Sequence, residues 1–253
     1  MPTVFISGAA SGIGLAFLAH YAQTSSNRIV AVDRVPIKPS SLSSVPESNL
    51  PYISCYVVDV TSTLSITALA AQMKDTPIDL LIHSAGIRGL VPSVESVYPN
   101  DVARAETLDV MDTETMLRTF HINAVGTFEL VRALLPSLRL AASSSLASPS
   151  KVVVMGSRMG SLSYNTTGSA YAYRASKAAL NAIVKSFSVD VPDVVFAIVH
   201  PGRVETRLVM CREEGAIEAD ESVKDMLGFM EKLGGNEYPS GGYWDRFGGV
   251  IGW

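Results

Sequence analysis

The chain has 253 residues, of which 47% are hydrophobic and 17% charged, with a formal charge of −4 at neutral pH. This suits one globular domain spanning 1–253, excludes a disordered chain, and leaves no basic run for holding nucleic acid. No apolar stretch reaches the roughly eighteen residues of a membrane span, and Met1-Pro2 enters an apolar run without a signal-peptide layout, so the expected location is cytoplasmic.

Thr3–Ser7 reads as a strand that breaks at Gly8, and a helical pattern resumes after Gly14. Gly8, Gly12 and Gly14 are spaced Gly-x-x-x-Gly-x-Gly, with Ser11 and Ile13 between them. Missing side chains at that spacing let backbone N–H groups and a helix N-terminus approach a pyrophosphate. A tight turn without a ligand fits the same letters, but Arg28–Asp33 reads as a second strand ending in an acid about twenty residues on. A doubly wound fold places its ribose-binding carboxylate there. Asp33 would accept ribose hydroxyls and repel a 2′-phosphate, which favours NAD, while Arg34 could pair with that phosphate and keeps NADP open.

Residues 36–51 are rich in Pro and Ser and read as a surface loop. Further strands are expected at 52–58, 79–83, 151–156 and 194–199, with helical stretches between most of them, a pattern that predicts a parallel sheet covered on both faces. Cys55 falls in an apolar strand and is expected to be buried; with Cys211 it makes no disulfide framework. His83-Ser84-Ala85-Gly86 follows the fourth strand, where the histidine reads as structural. Asn123 stands inside a helical run, an unfavourable place that asks for a reason. A second loop is expected at 141–150. No metal-ligand cluster is expected.

Ser157 follows the fifth strand, with Ser161 and Ser163 as competing hydroxyls. Tyr173 and Lys177 lie four apart in a breaker-free run and share one helix face. A phenol of ordinary pKa about 10 is a poor proton donor or base near neutrality, and a neighbouring cation favours its ionised form. Tyr171, two residues earlier, should point elsewhere and has no lysine one turn on. Pro201-Gly202 should turn the chain after the sixth strand. Residues 204–235, with Met210, Met226, Phe229 and Met230, read either as a cover over a substrate or as an ordinary amphipathic helix. Arg88, Tyr164 and Arg203 are candidate rim residues, and the tail carrying Trp244 and Trp253 reads as a last strand and an intersubunit surface.

Together these motifs resemble the short-chain dehydrogenase/reductase family over nearly the whole chain, and within it the C-factor-like and sniffer-like carbonyl reductases. The resemblance implies a Rossmann-type α/β fold, a doubly wound parallel sheet with helices on both faces. It implies that Gly8, Ser11, Gly12, Ile13, Gly14, Asp33, Arg34, Asp59, Val60, Ser84, Ala85, Gly86, Pro201, Gly202, Val204 and Thr206 meet the dinucleotide, with Asp59 at the adenine and Thr206 at the carboxamide. Ser157, Tyr173, Lys177 and Asn123 become the catalytic set. In it Tyr173 moves the proton, Lys177 lowers its pKa and holds ribose hydroxyls, Ser157 positions the substrate oxygen, and Asn123 holds a relay water. His83-Ser84 departs from the Asn-Asn usual there. The expected activity is hydride transfer between NAD(P) and a small carbonyl or alcohol by a homodimer or homotetramer. The same fold could serve a cofactor-binding cyclase or isomerase, or a nucleotide-sensing interaction protein.

Overall fold

In the computed structural model, which describes residues 1–144 and 149–253, seven parallel strands form one sheet ordered β3-β2-β1-β4-β5-β6-β7. They are β1 (Thr3–Ser7), β2 (Arg28–Asp33), β3 (Ile53–Val57), β4 (Leu80–His83), β5 (Lys151–Met155), β6 (Val195–His200) and β7 (Gly242–Asp245). The first six lie where the apolar runs predicted strands, and β7 is the strand expected in the tail. Helices α1 (Gly12–Tyr21), α2 (Thr63–Met73), α3 (Pro92–Val97), α4 (Thr113–Phe120), α5 (Gly126–Ser144), α6 (Tyr171–Asp190) and α7 (Ala219–Met230) connect them.

Successive strand residues face opposite sides of the sheet, so a strand buried on both sides must be apolar throughout. Ile6 packs with Phe17, Val153 and Met226 on one side. Its neighbour Phe5 packs with Leu130, Val152 and Phe196 on the other. Phe187 of α6 stacks between Phe128 of α5 and Phe196 of β6, at 5.6 Å from each, packing both helices against the sheet. Side-chain caps fix where two helices begin: Ser62 accepts from the Ser65 N–H at 3.2 Å and Asp112 from the Thr115 N–H at 2.6 Å.

The chain runs outward from β1 through β2 to β3, then crosses back to place β4 on the other side of β1. That reversal opens a crevice at the carboxyl ends of β1 and β4, where such folds bind ligands. Two local expectations need correction and a third, the surface loop at 36–51, gains detail. Cys55 is exposed, because β3 is the edge of the sheet and its residues are only partly covered. Residues 36–51 carry two 3-10 turns, pinned by a bond of 2.9 Å from the Asn49 amide to the Ala22 carbonyl. The loop expected at 141–150 begins later, since α5 runs through Ser144, and 145–148 lie outside the described residues. Among the described residues no helix is long and apolar enough to cross a membrane, and no group of His, Cys, Asp or Glu could hold a metal.

Candidate active site

A cleft of about 1040 Å³ runs along the carboxyl ends of the strands, from Asp33, Arg34 and Asp59 at one end to Ser157, Tyr173 and Lys177 at the other. Every residue expected at the dinucleotide, apart from the deeply packed Gly14, lines it. The turn after β1 needs its glycines. Gly8 has φ +69, and a Cβ there would fall 2.8 Å from the Ala85 nitrogen; a Cβ on Gly12, at φ +54, would fall 2.9 Å from the Thr206 methyl. α1 starts at this turn with no acid in its first turn and no side-chain bond from Ser11. Its amide ends therefore suit an anionic group.

Asp33, at the end of β2, accepts from the N–H groups of Ala10 (3.0 Å) and Val35 (3.2 Å). These bonds fix the carboxylate beside the glycine turn. Asp59 accepts from the Thr61 N–H (2.8 Å) and hydroxyl (2.7 Å), which hold its carboxyl below the usual range. The residues present fit a dinucleotide: a glycine turn and helix end for the phosphates, and a fixed carboxylate at the end of β2.

At the other end, α6 presents Tyr173 and Lys177 one turn apart, both buried. The helix starts from Ser169 and Ala170, which hold left-handed backbone at φ 57 and 51. Such residues cost on the order of 1–3 kcal/mol each and persist only where neighbours enforce them. Here the Glu106 carbonyl accepts from the Ala170 N–H and the Ser169 hydroxyl, both at 2.9 Å, and the Arg174 guanidinium donates to the carbonyls of Gly168 and Ser169, both at 3.1 Å. Ser157 follows β5, its hydroxyl accepting from the Met159 N–H at 3.2 Å, and it lines the cleft with Tyr173. The Tyr243 hydroxyl of β7 donates to the Ser157 carbonyl.

Lys177 donates from Nζ to the Met155 carbonyl at 2.8 Å, and burial pulls its pKa down to about 8. Burial pushes the Tyr173 phenol up; the strongest opposing influence is the Arg88 guanidinium, followed by the Ser157 hydroxyl. The sequence assigned that lowering to Lys177. Asn123 sits in a π-type turn, His121–Val125, between α4 and α5, and such turns cluster at functional sites. Its amide donates to the Ile87 carbonyl (2.9 Å) and the Ser176 hydroxyl (3.0 Å) and accepts from the Ile87 N–H (2.8 Å).

The competing hydroxyls fall away from the cleft. Ser161 bonds the Gly252 carbonyl and Ser163, and Tyr171 faces outward. His83 is buried between Ser7 and Thr127, at 2.8 Å from each hydroxyl, and has a structural task. Of the segment 204–235, Val204, Thr206, Arg207, Leu208 and Glu213 line the cleft, whereas Met226, Phe229 and Met230 are core residues beneath α1. α7 is thus the ordinary amphipathic helix. Arg88, Tyr164 and Arg203 do reach the cleft, as do Glu213 and Arg246, which the sequence did not single out. Glu106 was missed too; no motif or period marks it.

The short chain dehydrogenase family model matches residues 2–216. The C-signal protein of Myxococcus xanthus is 38% identical over 188 residues, covering 74% of this chain and 99% of that protein. Among solved structures, the NADPH-bound carbonyl reductase from chicken fatty liver superposes with a TM-score of 0.82 at 28% identity, covering 100% of this chain and 99% of its own. The carbonyl reductase Sniffer of D. melanogaster does so with a TM-score of 0.83 at 26% identity, covering 100% of both chains. The chain belongs to the short chain dehydrogenase family and is an NAD(P)-dependent oxidoreductase.

Proposed function

We propose that the protein reduces the carbonyl group of a small, moderately apolar molecule, or oxidises the matching secondary alcohol, with Tyr173 as its acid/base. One observation carries this reading: Ser157 after β5 and Tyr173 on α6, brought together from two separate elements, line the same cleft with Lys177. The nicotinamide, when bound, supplies or takes up the hydride. Ser157 would donate to the substrate oxygen and fix its place, and Tyr173 would give that oxygen its proton in reduction or take one in oxidation. Lys177 gives one of its three N–H bonds to Met155, leaving two for ribose hydroxyls. Asn123 keeps one lone pair on Oδ1 for a relay water. Gly86 preserves the room for it, since a Cβ there would stand 3.0 Å from Asn123 Oδ1 and 3.8 Å from Lys177 Nζ.

We favour NAD(H) because Asp33, held at the end of β2 by the Ala10 and Val35 N–H groups, would repel a 2′-phosphate, although the chicken carbonyl reductase is NADPH-bound. A cytoplasmic homo-oligomer completes the proposal. The test follows NADH and NADPH absorbance with phenanthrenequinone as carbonyl probe. Wild type should turn over NADH in preference to NADPH, and Tyr173→Phe should lose at least about a hundredfold in kcat with cofactor affinity retained. Retained turnover in Tyr173→Phe would remove the acid/base assignment, and a strong NADPH preference would remove the Asp33 argument.

A further inference from the structure

Arg88 lies two residues beyond Gly86, in the stretch that leaves β4 and skirts the cleft. Its side chain is only 12% exposed and that of its partner Glu106 9%. Nε donates to Oε2 at 2.9 Å and Nη2 to Oε1 at 3.0 Å, a two-pronged pair that leaves the guanidinium little rotational freedom. So held, the guanidinium carbon lies 5.0 Å from the centroid of the Tyr173 ring, within the range of cation–π attraction. Glu106 has a second hold on the same phenol. Its carbonyl carries the strained Ser169-Ala170 turn from which α6 departs, three residues before Tyr173. One residue thus braces the catalytic helix at its root and, through Arg88, the ring that the helix presents.

A buried ion pair serving only the fold gains little over apolar packing. This one sets its cation against the ring whose ionisation the reaction uses. We propose that Arg88, clamped by Glu106, is a positioning residue for Tyr173: it fixes the ring in the cleft wall and keeps a positive charge over the phenolate as it forms. The proposal deepens the oxidoreductase reading and rests on Tyr173 as its acid/base. Around the phenol, Arg88 and the Ser157 hydroxyl favour ionisation, while burial, Glu213 and Glu106 oppose it. Lys177 Nζ, 5.7 Å from the ring centroid, and Tyr243 are further ionisable neighbours.

The test titrates phenolate absorbance in wild type, Arg88→Met and Arg88→Lys, each paired with its Tyr173→Phe counterpart so that the difference isolates this phenol. Arg88→Met should raise the midpoint by about one pH unit or more, and Arg88→Lys, which keeps the charge, should recover at least half of that shift. In phenanthrenequinone reduction the alkaline limb of the pH profile should move the same way, with kcat reduced and the KM for NADH unchanged; this limb decides if the protein unfolds before the phenol titrates. If Arg88→Met does not melt cooperatively, Arg88→Gln, which can still donate to Glu106, carries the same expectation. A folded neutral variant whose midpoint and alkaline limb stay within a few tenths of wild type overturns the proposal, because a purely structural pair would change melting alone. A wild type that reduces no carbonyl, with the phenol still shifted by Arg88→Met, would overturn the reductase reading and leave this one standing.

Discussion

Lys177 brings an ammonium into a buried place, and the fold bears the consequence. In the unfolded chain its proton is held to about pH 10.4; in the folded protein burial lowers the pKa to about 8. The charged form is therefore disfavoured in the fold. That penalty is full below about pH 8 and fades as the pH climbs to about 10.4, where both states are neutral. Comparing wild type with Lys177→Met by urea unfolding, the difference should move in favour of wild type by about 3 kcal/mol across this window. A flat difference would mean that the buried amine titrates as it does in water. Tyr173, Lys177 and Ser157 were readable because their spacing and order form a motif. The Arg88 and Glu106 pair was not, since the partners are joined by a bond that no period in the sequence encodes.

At the level of elements, His83 ties three of them together. It ends β4, bonds Ser7 of β1 through Nδ1, and bonds Thr127 of α5 through Nε2. Burial, with the Lys177 charge adding to it, holds its pKa down to about 3, against about 6.5 in the unfolded chain. The unfolded chain thus takes up a proton first, so this contribution to stability is full above about pH 6.5 and is lost as pH falls toward 3. Melting of His83→Asn between pH 7 and 4 should show a shallower acid decline than wild type. At neutral pH the variant should be less stable by about 1–3 kcal/mol, because the shorter amide leaves one buried hydroxyl without its partner. An unchanged acid decline would remove His83 from the acid sensitivity and leave it to His200, which burial also lowers, to about 4. The reading of 204–235 shows the limit of pattern at this scale. A helix whose apolar face covers a substrate and one whose apolar face covers its own core carry the same period, and only the placement of Met226 and Phe229 beneath α1 separated them.

For the whole molecule, α4 leaves Met116, Leu117 and Phe120 exposed on its outer side, beside the exposed Tyr171 at the start of α6. An apolar patch of this kind marks an association surface, and a self-complementary surface closes into a dimer. Sedimentation should find a dimer or a multiple of one, and Leu117→Asp should shift it toward monomer. A wild type that sediments only as monomer would refute the homo-oligomer.

By itself the sequence determined the parallel α/β sheet, the glycine turn and the acid that ends β2, and it singled out Ser157, Tyr173 and Lys177 as the proposed set. The sheet, the glycine turn, the acid and the shared face of Tyr173 and Lys177 follow from local spacing, because strand burial, tight turns and helix faces repeat at short periods, whereas Ser157 follows from the family resemblance. Only the tertiary structure decided that β3 is an edge, that α7 belongs to the core, that Ser7 and Thr127 are the partners of the structural His83, and that Arg88 stands over the phenol. Those are outcomes of which distant segments meet, and the energy of burying one residue depends on neighbours that its own stretch of chain does not name.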